Sequence, residues 1–119
     1  MPQLIDTPAR IPVPGGKVIE EFVGQVATQS AGVSVARMTS PGGWEEPPQT
    51  PEFDEVTVVL SGTVRIESDS GVLDVGAGQA VLTRAGERVR YSTPGADGAQ
   101  YVAVCVPAFA IELVHREDT

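Results

Sequence analysis

Residues 43–62, GWEEPPQTPEFDEVTVVLSG, carry the pattern that is most informative about the fold. Its second half alternates, with Glu55, Thr57 and Val59 on one face of an extended strand and apolar residues on the other. A Ser-Gly pair follows as a turn signal, and residues 63–67 alternate again. The stretch therefore predicts a β-hairpin.

Acidic residues crowd the approach to this strand. They are Glu45, Glu46, Glu52, Asp54 and Glu55. A sheet that begins at such a rim usually faces a polar group, because exposed carboxylates are poor neighbours for an apolar surface. We therefore expect this end of the sheet to face something polar.

The rest of the chain repeats the rhythm of short apolar-polar strands separated by Gly and Pro turns. The further strands that the pattern predicts are residues 31–38, 72–75, 80–83, 89–92 and 101–106. With the hairpin and an edge strand near the N-terminus, the total is about eight short strands without a long amphipathic helix. This pattern predicts an all-β fold, an antiparallel double-sheet jelly-roll barrel.

The chain of 119 residues is long enough for one domain with one modest core. Residues 1–24 are expected to form an N-terminal arm or edge strands, because their prolines cannot donate to a central ladder. Residues 31–107 form the predicted barrel. Residues 108–119 form a charged tail with room for one helical turn.

Charge and composition exclude several partners. The net charge is −8 and the chain has a single lysine, so we expect neither nucleic acid nor an anionic membrane as a partner. No apolar run reaches the roughly 20 residues of a membrane span, and the N-terminus lacks an apolar signal-peptide core. One cysteine, Cys105, agrees with a reducing compartment. The expected location is the cytoplasm.

Residues 43–62 resemble the first motif of the cupin superfamily, G(X)5HXH(X)3-4E(X)6G. Gly43, Glu55 and Gly62 match the two glycines and the glutamate. The two histidine positions, which hold metal in that superfamily, fall on Gln49 and Pro51. The spacing of the glycines therefore matches the fold, while the metal ligands do not match.

A second cupin motif, G(X)5PXG(X)2H(X)3N, resembles residues 78–93. Its glycines are present, but its Pro, His and Asn positions hold Arg84, Val89 and Thr93. The Asp54-Glu55 pair and the following strand are also similar to the ethanolamine-utilisation type of cupin. That resemblance implies a role on small molecules without naming a substrate.

The cupin resemblance also implies a pocket in the mouth of the barrel, lined by side chains that alternate inward. Glu55 takes the position of the carboxylate ligand, Gln49 that of a histidine ligand, and Val89 that of the second motif's histidine. The residues that we expect around the pocket are Arg37, Trp44, Glu46, Gln49, Glu55, Thr57, Val89 and Tyr91. Trp44 fits either the pocket mouth or a dimer interface.

A metal cofactor is not expected. The one histidine, His115, lies in the charged tail, where the simplest interpretation is a solvated side chain. An alternative is a weak site made of oxygen ligands from Glu46, Gln49 and Glu55.

Acid–base chemistry without metal is the leading hypothesis. A carboxyl group in an apolar barrel has a raised pKa, so Glu55 can exchange a proton with a bound substrate near neutral pH. Tyr91 or Gln49 would then hydrogen-bond a developing oxyanion. This arrangement suits an isomerase, a lyase or a cyclase.

Two alternatives remain open at this point. Glu55 could form a salt bridge with Arg37 or Arg90 and serve only the fold, or the domain could be a non-catalytic small-molecule-binding or accessory module. An N-terminal arm with an edge strand also makes a homodimer the expected assembly.

Overall fold

The computed structural model describes residues 1–117 of the chain. Their elements are β1 (Ala9–Ile11), β2 (Val18–Val23), β3 (Ser34–Ser40), β4 (Trp44–Glu45), β5 (Asp54–Ser68), β6 (Gly71–Gly76), β7 (Ala80–Thr83), β8 (Val89–Thr93), β9 (Ala99–Val106) and α1 (Ile111–Val114). The expectation of an all-β chain is confirmed, and the strands end near the Gly and Pro turns that predicted them.

The predicted hairpin within residues 54–67 is wrong. Asp54–Ser68 is one continuous strand of 15 residues, β5, which bends where the turn was expected. The bend is a bulge, because the pairing of β5 with β9 shifts register between Val59 and Ser61. Gly62 follows with a φ of 75°, and a Cβ there would collide with the Gly98 carbonyl oxygen, so the position requires glycine.

The bend places the two halves of β5 in two sheets. The first half pairs with β7 on one side and β9 on the other, and β3, β2 and β1 continue this sheet beyond β9. The second half pairs with β6 and β8, and β4 closes the second sheet beside β8. All of these pairs are antiparallel. The architecture is the antiparallel double-sheet jelly roll that the sequence predicted.

Two apolar clusters fill the space between the sheets. The larger one contains Trp44, Val59, Val64, Ile66, Val75, Val89, Tyr91, Ala99 and Tyr101. The smaller one contains Phe53, Cys105 and Val114, with Phe109 and Leu113 packed against it. The alternation of β5 sends Glu55, Thr57 and Val59 into this interior, as the sequence predicted.

Within residues 1–117, the segments before β2 and after α1 both contact the barrel. The N-terminal arm pairs with β2 of its own chain, with Ile11 opposite Ile19. After α1, His115 adopts a left-handed conformation, and Arg116 forms a bridge with Gln49. His115 contacts Glu52 and is about half exposed, close to the expected solvated side chain. Of the predicted tail, residues 118–119 lie outside the described part of the chain. No helix within residues 1–117 has the length and hydropathy to cross a membrane.

An apolar patch covers the outer face of the first sheet. On β5, Val56 is 36% and Leu60 49% exposed, and on β7, Leu82 is 47% exposed. Val56 lies between Leu82 and the β9 residue Val104, so the patch is continuous across three strands. We call this surface, made of Val56, Val58, Leu60, Leu82, Val104 and Val106, the outer apolar face.

Candidate active site

A cavity of about 650 Å³ lies between the two apolar clusters. Its wall comes from β2, β3, β5, β8 and β9, and residues of the N-terminal arm, of the segment 44–49 and of the C-terminal segment complete it. The lining is mainly apolar and aromatic, with a few polar side chains among these groups. This is the composition of a small-molecule site.

Glu55 is the polar group on which the site centres. Its side chain points inward from β5 and the residue is 9% exposed. Burial raises the pKa of the Glu55 carboxyl to about 7, and the nearby Glu46 carboxylate adds to this shift. The charge of Lys17, the Tyr91 hydroxyl and the charge of Arg116 act in the opposite direction and offset only part of it.

Neither arginine that was considered as a salt-bridge partner reaches Glu55. Arg37 pairs with Glu20 at 3.1 Å, and Arg90 pairs with Glu45 at 2.7 Å. The hypothesis of a Glu55 neutralised by Arg37 or Arg90 is therefore wrong. Within residues 1–117, Glu55 forms no salt bridge.

The Tyr91 hydroxyl is a fixed, protonated group beside Glu55. It lies 3.0 Å from Thr83 Oγ1, and either hydroxyl can be the donor of this bond. Thr83 Oγ1 also lies 3.4 Å from the Glu55 carbonyl oxygen. Burial, followed by the charge of Glu55, raises the pKa of Tyr91 well above its usual range. The hydroxyl therefore keeps its proton throughout the physiological pH range.

Gln49 and Glu46 meet the C-terminal segment at the cavity. Arg116 donates from Nε and Nη2 to Gln49 Oε1 at 3.3 and 3.1 Å, and Nη2 lies 3.4 Å from Glu46 Oε2. Gln49 also exchanges two backbone hydrogen bonds with Val89, each of 2.9 Å. Gln49 and Val89, which take one histidine position of the first motif and that of the second motif, are thus neighbours through the backbone.

The residues present do not fit a metal of the cupin type. The Gln49 and Glu46 side-chain oxygens accept hydrogen bonds from the Arg116 guanidinium. Its positive charge therefore lies beside the oxygen atoms that would have to coordinate a metal cation. Across residues 1–117, no three His, Cys, Asp or Glu side chains are grouped to hold an ion. The oxygen-ligand alternative with Glu46, Gln49 and Glu55 therefore does not match this geometry.

Lys17 and Trp44 form an unexpected pair in the cavity. Lys17 Nζ lies 4.2 Å from the centroid of the Trp44 ring and 5.6 Å from that of the Tyr101 ring. Burial lowers the pKa of the Lys17 ammonium, while the charges of Glu46 and Glu55 oppose that change. Trp44 thus lies at the cavity, one of the two places considered for it.

Five of the eight residues proposed from the sequence line the cavity: Trp44, Glu46, Gln49, Glu55 and Tyr91. The other three do not. The expectation that Arg37 points into the barrel is wrong, because Ala36 and Met38 take the inward positions of β3 and Arg37 faces outward. Thr57 and Val89 are fully buried but pack deeper in the core than the cavity.

Sequence reasoning missed several residues of the lining. Lys17 and Arg116 come from segments that were interpreted as an edge strand and a charged tail. Glu21 is 2% exposed, and its Oε1 accepts hydrogen bonds from the backbone amides of Val26 and Ala27. Only the folded arrangement reveals them, since no local motif marks these positions. Cys105 also lines the cavity, but burial raises the pKa of its thiol, as expected for an inert group.

Solved structures share this fold. The polyketide cyclase RemF from Streptomyces resistomycificus superposes with a TM-score of 0.77 at 16% identity, covering 100% of this chain and 87% of that one. A variant of oxalate decarboxylase from Bacillus subtilis also gives 0.77, at 18% identity, over 94% of this chain and 30% of the other. A putative ethanolamine utilization protein Q from Salmonella typhimurium gives 0.62 at 20% identity, over 78% and 71%. At these identities the similarity concerns the fold alone.

A curated relative is closer in sequence. The protein named Endoribonuclease YbeY of Myxococcus xanthus is 47% identical over 107 residues, which are 90% of this chain and 36% of that protein. The chain therefore spans about a third of that relative's length.

The family described as Cupin domain matches residues 36–105. The match covers more than half of the 119 residues and includes both glycine motifs, the inward strand of Glu55 and the strand of Tyr91. The chain belongs to the cupin family.

Proposed function

We propose that this cupin is a small-molecule enzyme that transfers protons without a metal, in the manner of an isomerase, a lyase or a cyclase. The observation that carries the proposal is the Glu55 carboxyl, which is buried, without a salt bridge in the described chain, and has its pKa raised to about 7. A group whose pKa lies near the working pH serves both as acid and as base.

In the proposed reaction, the ionised Glu55 takes a proton from a carbon next to a carbonyl group of the substrate. The negative charge then develops on the carbonyl oxygen. The protonated Glu55 returns the proton to a different atom of the substrate, or to a leaving group. A positioned group of this kind contributes on the order of a hundredfold to ten-thousandfold in rate.

Tyr91 and Gln49 are the proposed donors to the developing oxyanion. Tyr91 keeps its proton at neutral pH, and this proton is available to the substrate when the Thr83 hydroxyl donates to the Tyr91 oxygen. The contacts of Gln49 with Arg116 use Oε1, so its amide NH2 remains to donate. Preorganised donors in a water-poor site stabilise such charge more than water does.

The lining favours an uncharged substrate with an aromatic or apolar body. A volume of about 650 Å³ suits a molecule of one or a few rings. Phe53, Tyr101 and Phe109 supply aromatic surface, and Trp44 lies at the cavity with them. The similarity to a structure titled polyketide cyclase agrees with this class but adds only a likeness of fold.

A second candidate is a ligand-binding module attached to a larger enzyme. The Myxococcus xanthus relative favours it, since this chain corresponds to about a third of a protein named as an endoribonuclease. A net charge of −8 disfavours direct contact with an RNA backbone. In this alternative the cavity binds a small molecule and catalyses nothing.

We also propose a homodimer formed through the outer apolar face. A chain with a net charge of −8 still has a continuous uncharged patch on this sheet. A second copy supplies a patch of the same kind, and a two-fold interface needs one self-complementary surface. If the outer apolar face were exposed to solvent, it would favour association with other apolar surfaces.

The proposed compartment is the cytoplasm, with neither nucleic acid nor a membrane as a partner. The support is the composition: one cysteine, Cys105, which is buried and free, and a strongly acidic net charge.

The test is proton exchange in D2O with a panel of small aromatic ketones and aldehydes, followed by NMR. We expect exchange at the carbon next to the carbonyl group for at least one compound. Glu55→Gln is expected to lose it by on the order of a hundredfold or more. Tyr91→Phe should reduce the rate with a smaller effect on binding.

Glu67→Gln is the matched control, because it makes the same change on the same strand outside the cavity. The enzyme proposal is contradicted if the panel binds in the cavity and no compound exchanges faster with the protein than with Glu55→Gln. That result would leave the ligand-binding module.

A further inference from the structure

Lys17 is the only lysine of the chain, and its amine lies in the cavity. It stands directly before β2, after the Gly15-Gly16 pair that brings the arm to the barrel. Gly15 packs so close to Trp44 that a Cβ would lie 3.3 Å from the ring atom Cδ1. The arm therefore holds the lysine at a fixed place beside the indole.

The Lys17 amine has no ionic partner within residues 1–117. It forms none of the salt bridges of the described chain, although the residue is only partly exposed. Its contacts are with the faces of two aromatic rings, Trp44 and Tyr101. Ring faces attract a cation, but they do not accept hydrogen bonds from its N–H groups in the way that oxygen atoms do. The amine, which lies in the cavity lining, is therefore available to a ligand.

We propose that Lys17 is the group through which the cavity captures carbonyl compounds, aldehydes or ketones, by forming an imine. This inference rests on the proposed use of the same cavity for proton transfer, and it names the substrate class. The ring faces supply the apolar surface, and Lys17 supplies the nucleophile.

The step balances without any further reactant. The nitrogen lone pair of the neutral amine attacks the carbonyl carbon, and the carbonyl π bond moves to oxygen to give a carbinolamine. The two amine protons leave with that oxygen as water, and a carbon–nitrogen double bond replaces the carbon–oxygen double bond. Protonation of the imine nitrogen makes the C–H bond on the neighbouring carbon acidic, and Glu55 removes the proton from that carbon to give an enamine. On this route Tyr91 and Gln49 donate to the carbonyl oxygen while the amine attacks, before that oxygen leaves as water.

Burial supports this use of the amine. It lowers the pKa of Lys17, so a larger fraction of the side chain is neutral and nucleophilic than in an exposed lysine. The charged and titratable groups around it are Glu46, Glu55, Arg116 and Tyr101. Burial outweighs the two glutamates, whose charges favour the ammonium form.

The charges of the lining favour an uncharged carbonyl compound over an anion. Arg116 is the second cation of the cavity and is already engaged by Gln49 and Glu46. The lining also contains Glu21 and Glu55. A carboxylate ligand would approach these acidic groups, whereas an aldehyde or ketone would not be repelled.

The test is reductive trapping. The protein is incubated with benzaldehyde and cyanoborohydride near neutral pH, and the sites of benzylation are mapped by mass spectrometry. The α-amino group of Met1, which is fully exposed, is the internal reference. An ordinary lysine reacts more slowly than a terminal amine, because its pKa is higher by more than about 2 units.

We expect Lys17 to be benzylated at least about tenfold faster than Met1. Leu4→Lys is the matched control, since it places a lysine on an exposed position of the arm, where labelling should be slower than at Met1. Lys17→Arg should lose the adduct. The rate at Lys17 is measured in the protein of unmodified sequence. If it is no higher than the rate at residue 4 in Leu4→Lys, the proposal is overturned.

The two proposals fail separately. Trapping at Lys17 that persists in Glu55→Gln, in a protein that exchanges no substrate protons, supports the imine and overturns the acid–base function. Proton exchange that depends on Glu55, without trapping at Lys17, supports the acid–base function and overturns the imine.

Discussion

Arg116 Nη2 donates a hydrogen bond to Gln49 Oε1 over 3.1 Å, which joins the C-terminal segment to the motif that decides the fold. Gln49 stands where the resembling motif has a histidine, so a guanidinium contacts the side chain that takes the place of a metal-binding histidine. Arg116 also contacts Glu46 and lowers the pKa of Glu55 by its charge. The C-terminal segment is thus part of the site's electrostatics.

Replacing Arg116 with leucine should raise the pKa of Glu55 above about 7. The variant removes a positive charge that favours the carboxylate, and it frees Glu46, whose negative charge disfavours it. The measurement is a carbon NMR titration of the glutamate carboxyl groups. Arg84→Leu, in an exposed turn away from the cavity, should leave the titration unchanged. An unchanged or lowered pKa in Arg116→Leu would contradict the assigned electrostatics.

Glu55→Gln should stabilise the protein at alkaline pH. The folded protein keeps the Glu55 proton up to a pH of about 7, whereas the unfolded chain loses it near 4.5. Between these values the folded state binds more protons, so the free energy of unfolding falls as the pH rises and levels off above about 7. Glutamine carries no charge at any pH. At about pH 8 the variant should gain about 3 kcal/mol over the parent.

The comparison is made by urea unfolding of both proteins from about pH 4 to about pH 8, so that the other titrating groups cancel. Near the acidic end the two proteins should have similar stability, because Glu55 is then protonated in both states. A stability difference that does not change with pH would show that Glu55 has an ordinary pKa.

Thr57→Val should raise the free energy of unfolding by about 1 kcal/mol. Thr57 is fully buried, and its Oγ1 is the buried side-chain polar atom without a hydrogen-bond partner in residues 1–117. Valine has the same shape without the hydroxyl, so the desolvation cost of that group disappears.

Thr83→Val is the contrasting variant. The Thr83 hydroxyl bonds the Tyr91 hydroxyl and the Glu55 carbonyl, so its loss should destabilise the fold. Chemical denaturation measures both variants. A destabilising Thr57→Val would show that its hydroxyl has a partner and would return Thr57 to the candidate site residues.

Leu82→Asp should convert the proposed homodimer to a monomer. The substitution places a charge in the outer apolar face, where two copies would have to bury it on both sides of the interface. Sedimentation or light scattering measures the mass. Leu73→Asp is the control, because it makes the same change at an exposed leucine of β6 in the other sheet. A parent protein that is monomeric at micromolar concentration would contradict the proposed dimer.

The fold could be predicted from local patterns because most strands carry their own signal; β4, which is two residues long, was not among the predicted strands. The alternation of Glu55, Thr57 and Val59 sets an inward face, and turns rich in glycine and proline set the strand ends. The exception is the bend of β5. A Ser-Gly pair is compatible with a reversal or with a bulge, and only pairing with β6 and β9 makes the bulge the better solution.

The candidate site could be predicted only in part, because local patterns do not reveal contacts between residues far apart in sequence. Glu55, Tyr91 and Gln49 are near strands whose inward face can be read from the sequence. Lys17 and Arg116 enter the cavity from the two ends of the chain, through contacts between residues far apart in sequence. Arg37 was misplaced because the register of β3 puts Ala36 and Met38 inward.

The proposed function depends on the buried Glu55 carboxyl group exchanging a proton near neutral pH. The most direct measurement is the NMR titration of the Glu55 side-chain carboxyl in the unmodified protein, assigned by comparison with Glu55→Gln. We expect a pKa of about 7 for Glu55, well separated from those of exposed glutamates. A pKa near 4.5, the value of an unperturbed glutamate, would contradict it.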